Sequence, residues 1–125
     1  MIRRALDPQF NTAVLEGRKT STIRENPWPV GVPIMLYNWS GVAYRSKQID
    51  VAAIRVLGAA QIKMTRFGDM DEPLYKSWLM SAVVPLWQME GFESREAMAA
   101  WFIRSLKPNS SIVQYLMRFE LLTEN

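Results

Sequence analysis

The sequence predicts an α+β fold, a small and mostly antiparallel β-barrel with flanking helices. Apolar and polar residues alternate in short runs through the first half of the chain and again at its end. Short turns join the early runs, which favours antiparallel neighbours. A helical period of apolar residues then intervenes between the fourth strand and the last, giving about five strands in all. With 125 residues the chain is expected to form a single domain, 1–125, long enough to bury a core.

The elements follow in order. Asp7-Pro8 reads as an N-cap followed by proline at the first helical position. Phe10, Ala13 and Val14 share a helical face, and Gly17 suits the left-handed position after a helix. Residues 19–24 read as a strand, and 26–31 as a turn or loop because two prolines remove backbone donors. Residues 33–39 form a second strand, with Ile34 and Leu36 on one face and Met35, Tyr37 and Trp39 on the other. Ser40-Gly41 breaks it, and 44–48 reads as a loop or short strand. Ala52, Ile54 and Val56 then alternate with Val51, Ala53, Arg55 and Leu57. After Gly58, Ala60, Ile62 and Met64 alternate with Gln61, Lys63 and Thr65.

From Asp71 the period becomes helical, with Leu74, Trp78 and Ala82 on one face and Pro85 as the stop. Ser94 is the expected N-cap of a further helix, with Glu96 in its first turn and Met98, Trp101, Phe102 and Leu106 along its apolar face. Residues 107–109 end it. The last strand is expected to turn Val113, Tyr115, Met117, Phe119 and Leu121 inward, and Gln114, Arg118 and Glu120 outward.

Composition narrows the chemistry. Fifteen basic against 12 acidic side chains leave a net charge of +3, so any contact with a polyanion is expected to be local. No run approaches the roughly 20 apolar residues of a membrane span, and no membrane association is expected. The N-terminus lacks the apolar core of a secretory signal, and cysteine is absent, so a cytoplasmic protein is expected. Histidine is absent too, which removes imidazole bases, Ser-His-Asp triads and histidine metal ligands. Asp69, Asp71 and Glu72 beside Pro73 read as a helix start rather than a metal cage. Neither a metal nor a cofactor is expected.

Residues 17–24, Gly-Arg-Lys-Thr-Ser-Thr-Ile-Arg, concentrate anion-seeking and nucleophile-capable groups. Lys19 works as a nucleophile or base only when neutral, and with an ordinary pKa of about 10.4 that requires desolvation or neighbouring cations. Arg18 and Arg24 supply the cations. In a regular strand Thr20, Thr22 and Arg24 share one face while Lys19 and Ser21 share the other. A site using both Lys19 and Thr22 therefore needs Lys19 in the turn, or a bulge between them. Strand propensity alone accounts for each threonine taken singly. Glu90, before Gly91, reads either as a general acid or base, or as a charge at a helix start. Trp28 and Trp39 flank the loops beside the basic strand and suit stacking on bases, and Arg45 and Lys47 extend the basic surface. Trp78 and Trp101 read as core.

Residues 17–24 resemble the Gly-x-Lys-Thr-x-Thr-x-Arg signature of the ASCH domains, which belong to the PUA-like superfamily of RNA-binding barrels. Glu90-Gly91-Phe92-Glu93-Ser94 before an amphipathic helix resembles the family's second landmark, and the closing strand 113–121 its third. The resemblance spans about residues 14 to 122, nearly the whole chain. It implies a compact barrel with a cleft between barrel and helices. One branch of the family is similar to bacterial amidohydrolases that deacetylate N4-acetylcytidine. The resemblance places their catalytic lysine at Lys19, their threonine at Thr22 and their glutamate at Glu90. The chain departs from that branch by the added segments 71–85 and 40–48.

Several functions follow as expectations. The first is a module that binds RNA or a nucleoside-like ligand in a basic cleft, using Arg18, Lys19, Thr22, Arg24 and Trp39. The alternative is an amidohydrolase in which Lys19 attacks the amide or activates water, Glu90 shuttles the proton and Thr22 stabilises the oxyanion. A ribonuclease relying on Lys, Arg and Glu90 ranks below both. A protein-interaction role, with 71–85 as its surface, is the plain alternative to all three.

Overall fold

The computed structural model describes residues 1–66, 74–76, 86–104, 107 and 110–122. Strand β1, Ile2–Ala5, leads into a 3-10 turn, Pro8–Phe10, and helix α1, Asn11–Leu15. Strands β2, Ser21–Arg24, β3, Pro33–Trp39, β4, Gln48–Arg66, and β5, Leu74–Lys76, follow. Helices α2, Leu86–Met89, and α3, Arg95–Ile103, precede the closing strand β6, Ser110–Leu121.

The fold is α+β, with a mixed sheet and a few short helices. The hydrogen-bonded path runs β1-β3-β4-β6-β2, and β5 pairs with β4 beside it. Among the described strands, β1 and β3 pair in parallel and the other strand pairs are antiparallel; Val30 adds an isolated parallel bridge to Val56. The path is open, ending at β1 on one side and β2 on the other.

The N-terminal reading is reproduced closely. The Asp7 side chain accepts a hydrogen bond from the Gln9 amide, with Pro8 in the first turn. Gly17 takes φ +77°, and the Arg18 and Lys19 amides both donate to the Ala13 carbonyl, at 2.8 and 2.9 Å. At α3, Ser94 Oγ accepts from the Ala97 amide and Glu96 lies in the first turn. Met98 is buried, and Trp101 and Phe102 pack against the core; Leu106 lies outside the described residues.

Several elements differ from the sequence reading. The two runs expected at 51–57 and 59–65 form the single long strand β4, because Gly58 sits at a bulge within it rather than at a turn. There β4 carries an extra residue between Val56, opposite Phe119, and Gly58, opposite Arg118. The bulge changes which face of β6 points inward. Above it Phe119 is buried as expected, while below it Leu116, opposite Ala60, is fully buried beside Met117, and Val113 is 50% exposed. A second irregularity between Leu36 and Tyr37 brings Tyr37 and Asn38 into the interior beside Ile34 and Leu36.

Leu74–Lys76, expected in a helix, is strand β5. It pairs with Lys63–Thr65, where β4 has run past the end of β3 and offers a free edge. The remainder of the helix expected at 71–85, including Trp78, Ala82 and Pro85, lies outside the described residues, as does the acidic group at 69–72. Among the described residues, no helix is long and apolar enough to cross a membrane.

The core lies on one face of the sheet, where Ile34, Leu36, Ile54, Val56 and Leu116 meet Val14, Met89 and Phe92 from the helical segments. If the bulge sets the phase of β6, Leu116→Ala lowers stability by about 2–5 kcal/mol. Val113→Ala changes it by about 0.5 kcal/mol or less. Urea unfolding of both variants checks the contrast, and equal effects would contradict it.

Candidate functional site

The two end strands of the sheet reach the same cavity. Ala5 of β1 and residues Thr22–Arg24 of β2 line a space of about 490 Å³, closed from the helical side by Glu90, Phe92 and Trp101. Its size lies within the roughly 300–1,000 Å³ typical of small-molecule pockets. Lys19, Thr22, Arg24, Trp39 and Glu90 all line it, five of the residues singled out from the sequence.

Lys19 reaches this cavity from the turn. Gly17 ends α1 in a left-handed conformation, and β2 starts only at Ser21, so Lys19 is free of the strand's alternation. That removes the conflict with Thr22 that a regular strand imposes. The chain is then pinned on both sides: the Thr20 amide donates to the Met89 carbonyl at 2.7 Å, and its carbonyl accepts from Phe119 at 2.9 Å. Lys19 is only 4% exposed. Its Nζ donates to the Glu90 backbone carbonyl at 2.7 Å and lies 4.8 Å from the centre of the Phe10 ring. Burial holds its pKa below the ordinary value; the Glu90 charge opposes this, and the Arg24 charge adds to it. A neutral amine donating one hydrogen bond keeps its lone pair for a ligand.

Glu90 follows the last turn of α2, its amide bonded to the Leu86 carbonyl at 2.9 Å. It sits at the end of a helix rather than at a start, so charge compensation of a helix N-terminus does not explain it. It is 2% exposed, and its carboxylate accepts a hydrogen bond from the fully buried Ser21 hydroxyl. Ser21 is a contact of this site that was not singled out from the sequence. Only the alternation of β2, which turns Ser21 away from Thr22, pointed toward it. Gly91 explains how the two segments come so close. It adopts φ +86°, and a Cβ there would stand 2.9 Å from Lys19 Cβ.

Thr22 and Arg24 act as a pair. Arg24 Nε donates to Thr22 Oγ1 at 3.0 Å, and its guanidinium lies over the Trp28 ring at 4.7 Å. Since the Thr22 oxygen accepts from a cation, its own proton is left to donate elsewhere. Trp28 is buried and serves as the floor under Arg24 rather than as a base platform. Trp39 lines the cavity mouth and contacts Tyr44 at 5.2 Å.

The remaining basic candidates lie elsewhere. Arg18 is exposed and pairs with Glu16 at 3.0 Å, while Arg45 and Lys47 are exposed on the loop 40–47. None of the three lines the cavity, because the turn directs Arg18 outward and the loop presents only Gly41 and Ala43 to it. Among the described residues, no cluster of carboxylates could hold a metal ion. No protein-family model, curated protein or solved structure matches this chain.

Two outcomes test this geometry. Gly91→Ala should lose at least about 1–2 kcal/mol in chemical denaturation, since a left-handed backbone penalty adds to the clash with Lys19. Lys19 has a lowered pKa in the folded state, so in the window below its ordinary value of 10.5 the unfolded chain binds the extra proton. Stability of the native protein therefore rises with pH through that window, relative to Lys19→Met. Parallel unfolding curves at neutral and alkaline pH read the difference, and a constant gap between the two proteins would contradict a depressed Lys19.

Proposed function

We propose that this chain is an ASCH-type, PUA-like domain that hydrolyses the amide of an N4-acylated cytidine. The observation that carries the proposal is the buried Lys19 amine held against Glu90 within a cavity of ligand size. A lysine meant only to attract a polyanion would stay solvated and charged. Lys19 is instead buried, and desolvation lowers its pKa, which suits a base or nucleophile. The curled sheet, whose end strands flank the cavity, supports a PUA-like barrel arrangement.

In this reading the aromatic walls from Phe92 and Trp101 take the base, and the acyl group points toward Lys19. Lys19 removes a proton from a water that adds to the amide carbonyl. The Thr22 hydroxyl, its oxygen engaged by Arg24, donates to the developing oxyanion. The proton taken up by Lys19 passes to the Glu90 carboxylate, which delivers it to N4 as the C–N bond breaks, releasing the carboxylic acid and cytidine and leaving Lys19 neutral and Glu90 ionised.

A second reading is binding of RNA without turnover. Its support is the loop 40–47 at the cavity mouth, where Tyr44 is 88% exposed against Trp39 and Arg45 and Lys47 face solvent. Such an arrangement suits stacking of an unpaired base beside phosphate contacts.

Hydrolysis of N4-acetylcytidine by the purified protein separates the two. Turnover should disappear in Lys19→Ala and Glu90→Gln, and fall about 10²–10³-fold in Thr22→Val, mainly in kcat. Absence of turnover on any acylated cytidine, with salt-sensitive binding of single-stranded RNA, would replace the hydrolase by the binding module.

A further inference from the structure

Arg24 is held in a manner that its bond to Thr22 does not exhaust. Nε is committed to Thr22 Oγ1, and the guanidinium plane rests on Trp28, so the group is fixed in position and tilt. Its two terminal amino groups make no hydrogen bond among the described residues, although the side chain lines the cavity and is more than half removed from water. No carboxylate of those residues lies within ion-pair distance of it. Glu90, the nearest acidic group by its effect on Arg24, has its carboxylate bonded to Ser21. A further cation, Arg4 of β1, is close enough to oppose the charge on Arg24, and its Nη1 is turned to the Arg3 carbonyl at 2.9 Å. An immobilised fork with unpaired donors and a cation as neighbour is the arrangement that receives two oxygens of an oxyanion.

We infer that the fork of Arg24 is an anion subsite of the cavity, and that the ligand carries a phosphoryl group on its sugar. The inference rests on the nucleoside reading above for the rest of the ligand and extends it from a neutral nucleoside to a nucleotide. Trp28 and Thr22 orient the fork, and Arg4 raises the local positive potential along the side of the cavity formed by β1.

Calorimetric titration of the full chain with cytidine, cytidine 5′-monophosphate and inorganic phosphate tests it. The monophosphate should bind about tenfold or more tightly than cytidine, as one charge-assisted bidentate contact provides. The advantage, read as the ratio of monophosphate to cytidine affinity within each protein, should shrink with salt and vanish in Arg24→Gln. Arg24→Lys, which keeps the charge and loses the fork, should retain only part of it. Thermal melts confirm that both variants fold, and the salt dependence of the native protein needs no variant. A cytidylyl dinucleotide with only a phosphodiester upholds the subsite if it matches the monophosphate, and then assigns the anion to an RNA backbone.

Equal affinity for cytidine and its monophosphate overturns the subsite and leaves the nucleoside reading standing. So does an advantage that Arg24→Gln leaves untouched. Arg24-dependent binding of inorganic phosphate without any binding of cytidine upholds the subsite and removes the nucleoside reading. No binding of any of these ligands overturns both.

Discussion

A lysine amine buried to 4% exposure is tolerated only if its hydrogen bonds are satisfied and its charge is shed or matched. Lys19 meets the first demand through the Glu90 carbonyl, and its lowered pKa moves it toward the second. That contact joins two segments 71 residues apart in sequence. It also fixes what surrounds it. Gly91 must lack a side chain, the Thr20 amide docks on Met89, and the Glu90 carboxylate is turned to Ser21. Removing any one of these would leave a buried polar group without a partner or a backbone in collision.

The sheet supplies the space in which that contact acts. β1 and β2 stand at opposite ends of the hydrogen-bonded path, yet both border the cavity. The long β4 makes this curvature feasible, since its bulge at Leu57 and Gly58 bends the strand and alters the register with β6. The cavity thus sits at the seam where strand pairing stops. Phe10 of the N-terminal turn packs edge to face on both Phe92 and Trp101 from the helical segments along its inner wall. Polar groups of β2 occupy the opposite side, so a ligand would meet an apolar wall and a set of fixed donors together.

Much of this was legible in residues 7–24. Asp7-Pro8 and Gly17 carry local conformational preferences strong enough to set helix ends without tertiary help. The clustering of Lys19, Thr22 and Arg24 located one wall of the cavity. Arg45 and Lys47 do not line the cavity, because composition cannot tell a loop's outward face from the face that its backbone presents. The phase of β6 below the bulge was missed for a related reason: alternation assumes an unbroken ladder, and one extra residue on a partner strand reverses it.

The sequence by itself determined the helix ends at 7–17 and at 94, the inward faces of Ile34–Leu36 and of 52–62, and the polar, basic cluster at 17–24, because each depends on near neighbours in the chain. Only the tertiary structure decided that Glu90 follows a helix, that Ser21 holds its carboxylate and that Arg24 lies over Trp28 beside a free cavity. Those contacts depend on the path of β4 and on the docking of 86–92 against the turn. Both arise from long-range packing, where burial and hydrogen-bond satisfaction override local preference.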